Sequence, residues 1–293
     1  MKIIANDGNF GARIEAADLS IPLDSNTIRT ILGALGTHGV LCFPEQDLAP
    51  SELAAFGACF GELEINVADA FQTPQCPEVM TLSNMVREDG RPLGLKDAGQ
   101  GWHTDMSYSH DVALANVLHA RQTPSRDGRS LGDTQFLNMH AAYDDLPEVV
   151  KTQLEGRTAI HDFDKFWEMM RARPGSTRPP LSPVQRRKKP PVSQPLFRLH
   201  PITGRRVLYC NPGYTMRIED MAPADSDAML NFLFEHQSQS KYLYAHHWTN
   251  RDILMWDNIG TTHNAVSDYE AHEHRLIHRV QVMATLDYTA LLG

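Results

Sequence analysis

The chain has 293 residues, of which 42% are hydrophobic and 22% are charged, as in an ordinary globular protein. The formal net charge of −9 argues against general nucleic-acid binding, although a local arginine cluster could still bind a small anion. The four cysteines are scattered, no apolar stretch approaches the roughly 18 residues of a membrane span, and the start lacks a signal-peptide core. We therefore expect a cytoplasmic protein without a membrane partner.

The first 120 residues predict short strands interleaved with amphipathic helices. Apolar residues between positions 28 and 35 recur at the spacing of one helix face, and Asp24 or Ser25 can cap the start. The predicted elements are helices over 24–36 and from about 51, and strands over 40–43, 80–83 and 113–118. Short strands broken by Gly and Pro are typical of an all-β sandwich or jelly roll.

Two more helices and one unusual segment follow. The helices are predicted over 138–155 and about 223–236, where apolar residues cluster. Residues 171–195 contain seven prolines and a basic run, so we expect no core element there. The segment would be a solvated loop or, in a functional interpretation, a mobile lid or a partner-binding insert. It does not divide the chain, and we predict a single domain over 1–293.

Two histidines and one aspartate predict a metal site. His103 and Asp105 are two residues apart, and such residues point to the same side of an extended segment. The pair alone is weak evidence in a chain with 14 histidines, but His263 supplies a distant third ligand. Two histidines and a carboxylate form the facial triad that leaves three positions open on Fe(II), which predicts an oxygenase.

Two arginines follow the distal histidine. Arg275 and Arg279 occupy alternate positions of a predicted strand over 275–282 and therefore share one side, about 13 Å apart. They could converge on one site or bind two neighbouring anions. A guanidinium group suits this function because it pairs with carboxylate or sulfonate through two hydrogen bonds.

Several short motifs carry a family resemblance over nearly the whole chain. They are Gly-Ala-Arg-Ile at 11–14, Phe-Gly-Glu-Leu at 60–63, Trp-His-Thr-Asp at 102–105, Gly-Asp-Thr at 132–134, Tyr-Thr-Met-Arg-Ile at 214–218, Met-Trp-Asp-Asn at 255–258 and Thr-His at 262–263. In these motifs the chain resembles the taurine / 2,4-dichlorophenoxyacetate dioxygenase family of Fe(II)- and 2-oxoglutarate-dependent oxygenases. The resemblance implies a mainly β fold with α additions, in which helices flank a double-stranded β-helix (jelly roll) core.

The resemblance also implies roles for the cofactor-binding residues. His103, Asp105 and His263 would bind Fe(II). Thr134 and Arg275 would hold 2-oxoglutarate, the co-substrate that reacts with O2. The aspartate is intact, whereas related halogenases replace it, and this favours hydroxylation.

Three further residues would contact the primary substrate. Arg279 would pair with its anionic group, and Tyr214 belongs to a motif similar to that of taurine dioxygenase. Asn66 stands where taurine dioxygenase has a sulfonate-binding histidine, which argues against taurine itself. Tyr108, Phe163 and Phe166, like Tyr214, could line the pocket or could equally be core residues.

We therefore expect hydroxylation of a small anionic molecule, such as a sulfonate, sulfate ester or aryloxyalkanoate, with release of succinate and CO2. A carbon–heteroatom bond would break if the hydroxylated carbon bears a heteroatom. No nucleic acid or membrane is expected as a partner, and we expect a homo-oligomer. Two alternatives are a metal-dependent hydrolase, which leaves the arginine pair unexplained, and a catalytically silent ligand-binding relative, against which the complete triad argues.

Overall fold

A computed structural model of the chain describes residues 1–65, 71–173, 176 and 178–292. Its strands in chain order are β1 (Lys2–Ala5), β2 (Ala12–Glu15), β3 (Val40–Phe43), β4 (Gln72–Thr73), β5 (Cys76–Ser83), β6 (Ala113–Gln122), β7 (Ser125–Arg126), β8 (Arg129–Ser130), β9 (Thr134–Asn138), β10 (Thr158–His161), β11 (Val192–Pro195), β12 (Phe197–Leu199), β13 (Arg206–Leu208), β14 (Thr215–Ile218), β15 (Leu243–His246), β16 (Ile253–Asp257), β17 (Thr261–Ala265) and β18 (Leu276–Met283). The helices are α1 (Ser25–His38), α2 (Pro50–Ala58), α3 (Met139–Asp144), α4 (Glu148–Leu154), α5 (Phe163–Arg171), α6 (Pro183–Lys188), α7 (Pro223–Gln237) and α8 (Tyr288–Leu292). No helix in the described ranges is long and apolar enough to cross a membrane.

The largest sheet has eight strands in the order β1-β2-β3-β16-β6-β18-β5-β4. Its strands pair antiparallel, except that β2 and β3 run parallel. Alternate residues of β16 point to opposite faces, so Ile253 and Met255 pack into one buried cluster while Leu254 and Trp256 pack into another. The first cluster also contains apolar residues of α1 and α2, which therefore cover that face of the sheet.

A smaller sheet, in the order β15-β9-β17, packs against the other face. The second buried cluster joins Val40 of β3, Leu254 of β16 and Ile277 of β18 with Phe136 of β9. Side chains from both sheets therefore fill one layer, as in a two-sheet sandwich.

Most predicted elements are present at the expected positions. The bounds agree with the predictions within a few residues for three helices and two strands, namely α1, α2, α7, β3 and β18. Strands β5 and β6 also occur where they are predicted, but each is four residues longer than predicted. The single helix predicted over 138–155 is wrong, because two short helices, α3 and α4, occur there. Pro147 takes the N-cap position of α4, and a proline inside a continuous helix would lack the amide hydrogen that the helix needs.

The expectation of no core element in 171–195 is also wrong for its later part. This part contains α6, which begins at Pro183 with Ser182 as its cap. It then forms β11, the edge strand of a three-stranded sheet in the order β11-β10-β14. Val192 and Gln194 of this strand are buried while Ser193 is exposed, so the strand adds one face to the protein interior.

Candidate active site

His103 and His263 lie opposite each other on neighbouring backbone segments. The His103 N–H donates to the His263 carbonyl at 3.0 Å, and the His263 N–H donates to the His103 carbonyl at 2.9 Å. This antiparallel bridge brings the centroids of the two rings to 4.2 Å. Since His263 lies in β17 of the smaller sheet, the sheet fixes the position of this histidine pair.

Asp105 completes the group that the sequence predicts. Its Oδ1 lies 3.4 Å from His103 Nε2, and its Oδ2 lies 3.9 Å from His263 Nε2. One donor atom from each of the three residues falls within 4.8 Å of the others, and all three residues are at least 92% buried. Three donors at this separation can surround a single metal ion.

The protonation of the three side chains suits a divalent cation. The Gly101 carbonyl lies 2.7 Å from His103 Nδ1 and can only accept, so Nδ1 carries the proton and Nε2 presents its lone pair. Burial, together with the neighbouring His103, lowers the pKa of His263 to about 3 and keeps it neutral. Burial disfavours the Asp105 carboxylate, but the charge of Arg279 counteracts burial, and the pKa of Asp105 lies below its usual range. Metal ligation requires these states.

One residue that sequence reasoning missed orients the Asp105 carboxylate. Gln281 in β18 is buried, and its Nε2 donates to Asp105 Oδ2 at 2.9 Å. Arg279 Nη1 approaches the same oxygen at 3.4 Å. Oδ2 is therefore engaged, and Oδ1 is the carboxylate atom that remains for a metal. The alternation of β18 places Gln281 on the same side as the two arginines, and this was the only sequence signal for it.

One cavity is lined by the triad together with Thr134, Arg275 and Arg279, the residues to which the resemblance gives roles in binding 2-oxoglutarate and substrate. Arg275 is 8% exposed, and no group in the described part of the chain accepts a hydrogen bond from its guanidinium, which lies 5.9 Å from the Tyr269 ring. Thr134 Oγ1 accepts from Trp248 Nε1 at 3.0 Å, so the hydroxyl hydrogen stays free to donate into the cavity. A free buried cation beside a free hydroxyl donor is suited to a carboxylate.

The residues predicted to contact the primary substrate differ in where they lie relative to the cavity. Arg279 lines the cavity, whereas Tyr214 packs behind His103 with ring centroids 6.0 Å apart. Phe166 contacts the same imidazole at 5.1 Å and Tyr214 at 5.0 Å. Asn66 lies outside the described residues.

Comparisons with known proteins agree with this geometry. A family model described as "Taurine catabolism dioxygenase TauD, TfdA family" matches residues 4–281. The chain is 32% identical to an alpha-ketoglutarate-dependent 2,4-dichlorophenoxyacetate dioxygenase from Cupriavidus pinatubonensis, over 90% of this chain and 92% of that protein. It is 31% identical to pentalenolactone F synthase from Streptomyces arenae, over 92% and 91% of the two chains.

A solved structure shows the same fold. The crystal structure of AAD-2 in complex with Mn(II) and N-oxalylglycine superposes with a TM-score of 0.82 at 27% identity and covers 98% of both chains.

Proposed function

The chain belongs to the taurine catabolism dioxygenase TauD, TfdA family, and on this premise we propose that it uses Fe(II), O2 and 2-oxoglutarate to hydroxylate a small anionic substrate. The observation that carries the proposal is one cavity that combines a His-Asp-His triad with two arginines on the same strand side. We further infer that the two facing sheets are the halves of a double-stranded β-helix within a single domain. The cytoplasmic location and the homo-oligomer stay predictions.

The chain offers three ligand atoms to a metal ion, and hydrogen bonds to neighbouring atoms determine which atoms these are. His103 and His263 would bind through Nε2, and Asp105 through Oδ1, because Gln281 and Arg279 engage Oδ2. When bound, Fe(II) supplies the open positions at which 2-oxoglutarate and O2 react, and the co-substrate leaves as succinate and CO2.

The co-substrate would be held by Arg275 and Thr134. The buried guanidinium can form two charge-assisted hydrogen bonds with the carboxylate remote from the metal, and the Thr134 hydroxyl can donate a third. The cavity wall also includes Leu118 and Trp256, whose largely apolar side chains would help to exclude water from the bound co-substrate.

The primary substrate would contact Arg279, and an aromatic cluster lies nearby on the other side of His103. Among the described residues, the Arg279 guanidinium contacts Asp105 at 3.4 Å and, through Nη2, a methionine sulfur, which leaves other guanidinium hydrogens available to an anion. Tyr108, Phe163, Phe166 and Tyr214 pack together beside His103. The similarity to a 2,4-dichlorophenoxyacetate dioxygenase supports an aromatic carboxylate of the aryloxyalkanoate class over a small sulfonate, and Asn66 and Tyr214 stay proposed as further contacts. Cleavage would follow where the hydroxylated carbon bears the ether oxygen.

Succinate release tests the proposal. We expect purified protein to form succinate only with Fe(II), O2, 2-oxoglutarate and a substrate, and to prefer an aryloxyalkanoate over a sulfonate or a sulfate ester. Arg275→Ala should raise the KM for 2-oxoglutarate at least about 30-fold, since losing one partner of a buried charged contact costs roughly 2–5 kcal/mol. The KM for the primary substrate should change little.

Arg205→Ala provides the control, because Arg205 pairs with Asp144 on the surface and both side chains are 52% exposed. It should leave both KM values unchanged. Succinate release without iron, or equal changes of both KM values in Arg275→Ala, would contradict the assignment.

A further inference from the structure

A second group of potential metal ligands lies outside the active-site cavity. Cys42 of β3, His246 of β15 and Asp252, which directly precedes β16, are 9%, 6% and 5% exposed. A sulfur, a nitrogen and an oxygen atom from these residues lie within 4.8 Å of one another. Two strands and the turn before a third therefore place a sulfur, a nitrogen and an oxygen ligand atom close together in the protein interior.

Tyr244 Oη lies 3.4 Å from His246 Nδ1, and the Cys42 thiol interacts with the Asp252 carboxylate, but these contacts leave His246 Nε2 without a hydrogen bond in the described structure. Asp252 Oδ2 accepts from the Thr249 N–H at 2.9 Å, which closes the turn before β16. His246 Nε2 lies 3.3 Å from the same oxygen, but the geometry is not that of a hydrogen bond and Nε2 has no partner in the described structure. A buried polar atom without a partner is uncommon and calls for an explanation, such as an ion.

We propose that Cys42, His246 and Asp252 form a second metal site, with three protein ligands for Zn²⁺ or a similar thiophilic divalent cation. Zn²⁺ binds sulfur at about 2.3 Å and nitrogen or oxygen at about 2.0–2.2 Å, so ligand atoms around one tetrahedral ion lie roughly 3.3–3.7 Å apart. The 3.3 Å between His246 Nε2 and Asp252 Oδ2 already meets this spacing. The fourth position would take a water molecule.

The chemistry of the ligands sets the proton balance. Burial raises the pKa of the Cys42 thiol to about 12, so the free thiol keeps its proton. A bound cation would displace that proton, and each ion taken up would release one. Residues 249–251, next to Asp252, are exposed and provide a short route from the solvent.

A third buried group of potential metal ligands differs from the Cys42 group because its central histidine is already fully hydrogen-bonded. His140, His200 and Asp257 also place donor atoms within 4.8 Å. The backbone N–H groups of Ile202 and Thr203 donate to His200 Nδ1 at 3.2 and 3.3 Å, so His200 Nε2 carries the proton and donates to Asp257 at 2.9 Å. That histidine cannot bind a metal without breaking these hydrogen bonds.

A metal at Cys42 would also support the co-substrate pocket. The His246 ring packs edge-on against Trp248 at 4.9 Å, and Trp248 Nε1 donates to Thr134. His246 and Thr134 are also paired across β15 and β9. An ion that fixes His246 would therefore fix the wall that presents the Thr134 hydroxyl.

Zinc counting in a variant without the first site tests this proposal. In full-length His103→Ala/His263→Ala protein, we expect one Zn²⁺ per chain to survive dialysis, measured by elemental analysis. Adding Cys42→Ser should remove it. Adding Cys210→Ser, which changes an equally buried thiol elsewhere, should leave it in place.

A second measurement covers the case in which Cys42→Ser does not fold. Co²⁺ bound to the His103→Ala/His263→Ala protein should show the near-ultraviolet absorption of a cobalt–thiolate bond, and His246→Gln should weaken binding at least about tenfold. Loss of all zinc from the double variant, unchanged zinc in Cys42→Ser, or a cobalt spectrum without the thiolate band would overturn the proposal. None of these readouts depends on succinate formation, so this site and the proposed function can fail separately.

Discussion

A ring of buried side-chain amides holds the Asp105 carboxylate. Gln281 Nε2 donates to Asp105 Oδ2 at 2.9 Å and to Asn116 Oδ1 at 3.0 Å. Asn116 Nδ2 donates to Asn258 Oδ1 at 3.1 Å, and Asn258 Nδ2 donates to the Asp105 carbonyl at 2.8 Å. The ring thus begins at the side chain of Asp105 and ends at its backbone, so it fixes both the position and the rotation of the carboxylate.

Gln281→Leu should weaken metal binding while the fold remains. We expect the dissociation constant for Mn²⁺, a redox-stable probe, to rise about 10–100-fold, as for other residues that orient a metal ligand. The freed Oδ2 could turn toward the metal and occupy a position meant for the co-substrate. Titration with Mn²⁺ in the absence of turnover gives the constant directly.

Gln237→Leu is the matched control, because Gln237 is equally buried and contacts Cys210, away from the cavity. Both variants remove a buried amide, at a cost to the free energy of unfolding of about 1–3 kcal/mol. An unchanged Mn²⁺ constant in Gln281→Leu, or an equal rise in both variants, would contradict the orienting role.

The metal ligands could be predicted from the sequence, whereas the amide side chains that orient Asp105 could not. The histidine and aspartate positions could be found because few residue types bind metals and because His103 and Asp105 lie at strand spacing. Gln281 and Asn116 could not, since their contacts join positions 165 residues apart and amide side chains are common on strands. Only the assembled sheet, in which β18 and β6 are neighbours, brings them together.

At the scale of elements, two arginines of the Pro- and Arg-rich segment (171–195) form side-chain contacts with residues at or near the cavity wall. Arg178 forms two hydrogen bonds with the Asp97 carboxylate, at 2.9 and 2.7 Å, and its guanidinium lies 4.9 Å from the Trp167 ring. Arg173 donates to the Gln100 side chain at 2.5 Å. Gln100 itself lines the cavity, so the segment and the wall of the site are directly coupled.

Removing the ion pair between Asp97 and Arg178 should make the segment 171–195 more mobile. We expect Asp97→Ala to speed proteolytic cleavage within 171–195 about fivefold, since an ion pair of this kind contributes about 1 kcal/mol. If the segment is a lid, 2-oxoglutarate with substrate should slow cleavage in the wild type. The exchange Asp97→Arg/Arg178→Asp should restore most of the protection, and Asp144→Ala, on the surface, should have no effect. Cleavage that is equally fast in wild type and Asp97→Ala would exclude this effect of the ion pair.

The same segment shows why some elements escape sequence analysis. Its composition predicts a loop, but β11 forms because β10 offers it a complete antiparallel register from Thr158 to His161. Pairing with a distant strand overrides local preference. The break at Pro147 is the reverse case, because the apolar spacing over 138–155 continues through a residue that the backbone of a single helix cannot accommodate.

At the scale of the whole molecule, buried neutral histidines link folding to pH. His161 in β10 has no solvent exposure, and burial, with the charge of Lys165, lowers its pKa to about 3. Burial also lowers the pKa of His278 to about 4. An unfolded histidine has a pKa near 6.5, so between these values the unfolded chain binds protons that the folded chain does not.

We therefore expect the free energy of unfolding to fall as the pH drops below about 6.5. Each such histidine contributes roughly 1.4 kcal/mol per pH unit between about 6 and 4, because the difference in bound protons sets the slope. His161→Phe keeps the ring that stacks on Tyr209 and removes one of these groups, so its stability should fall less steeply by about that amount. Urea unfolding at pH 7.5, 6.0 and 5.0 measures the slope, with the exposed His110→Gln as control. Equal slopes for His161→Phe and the wild type would mean that His161 is protonated in the folded protein, and that its burial does not contribute to acid sensitivity.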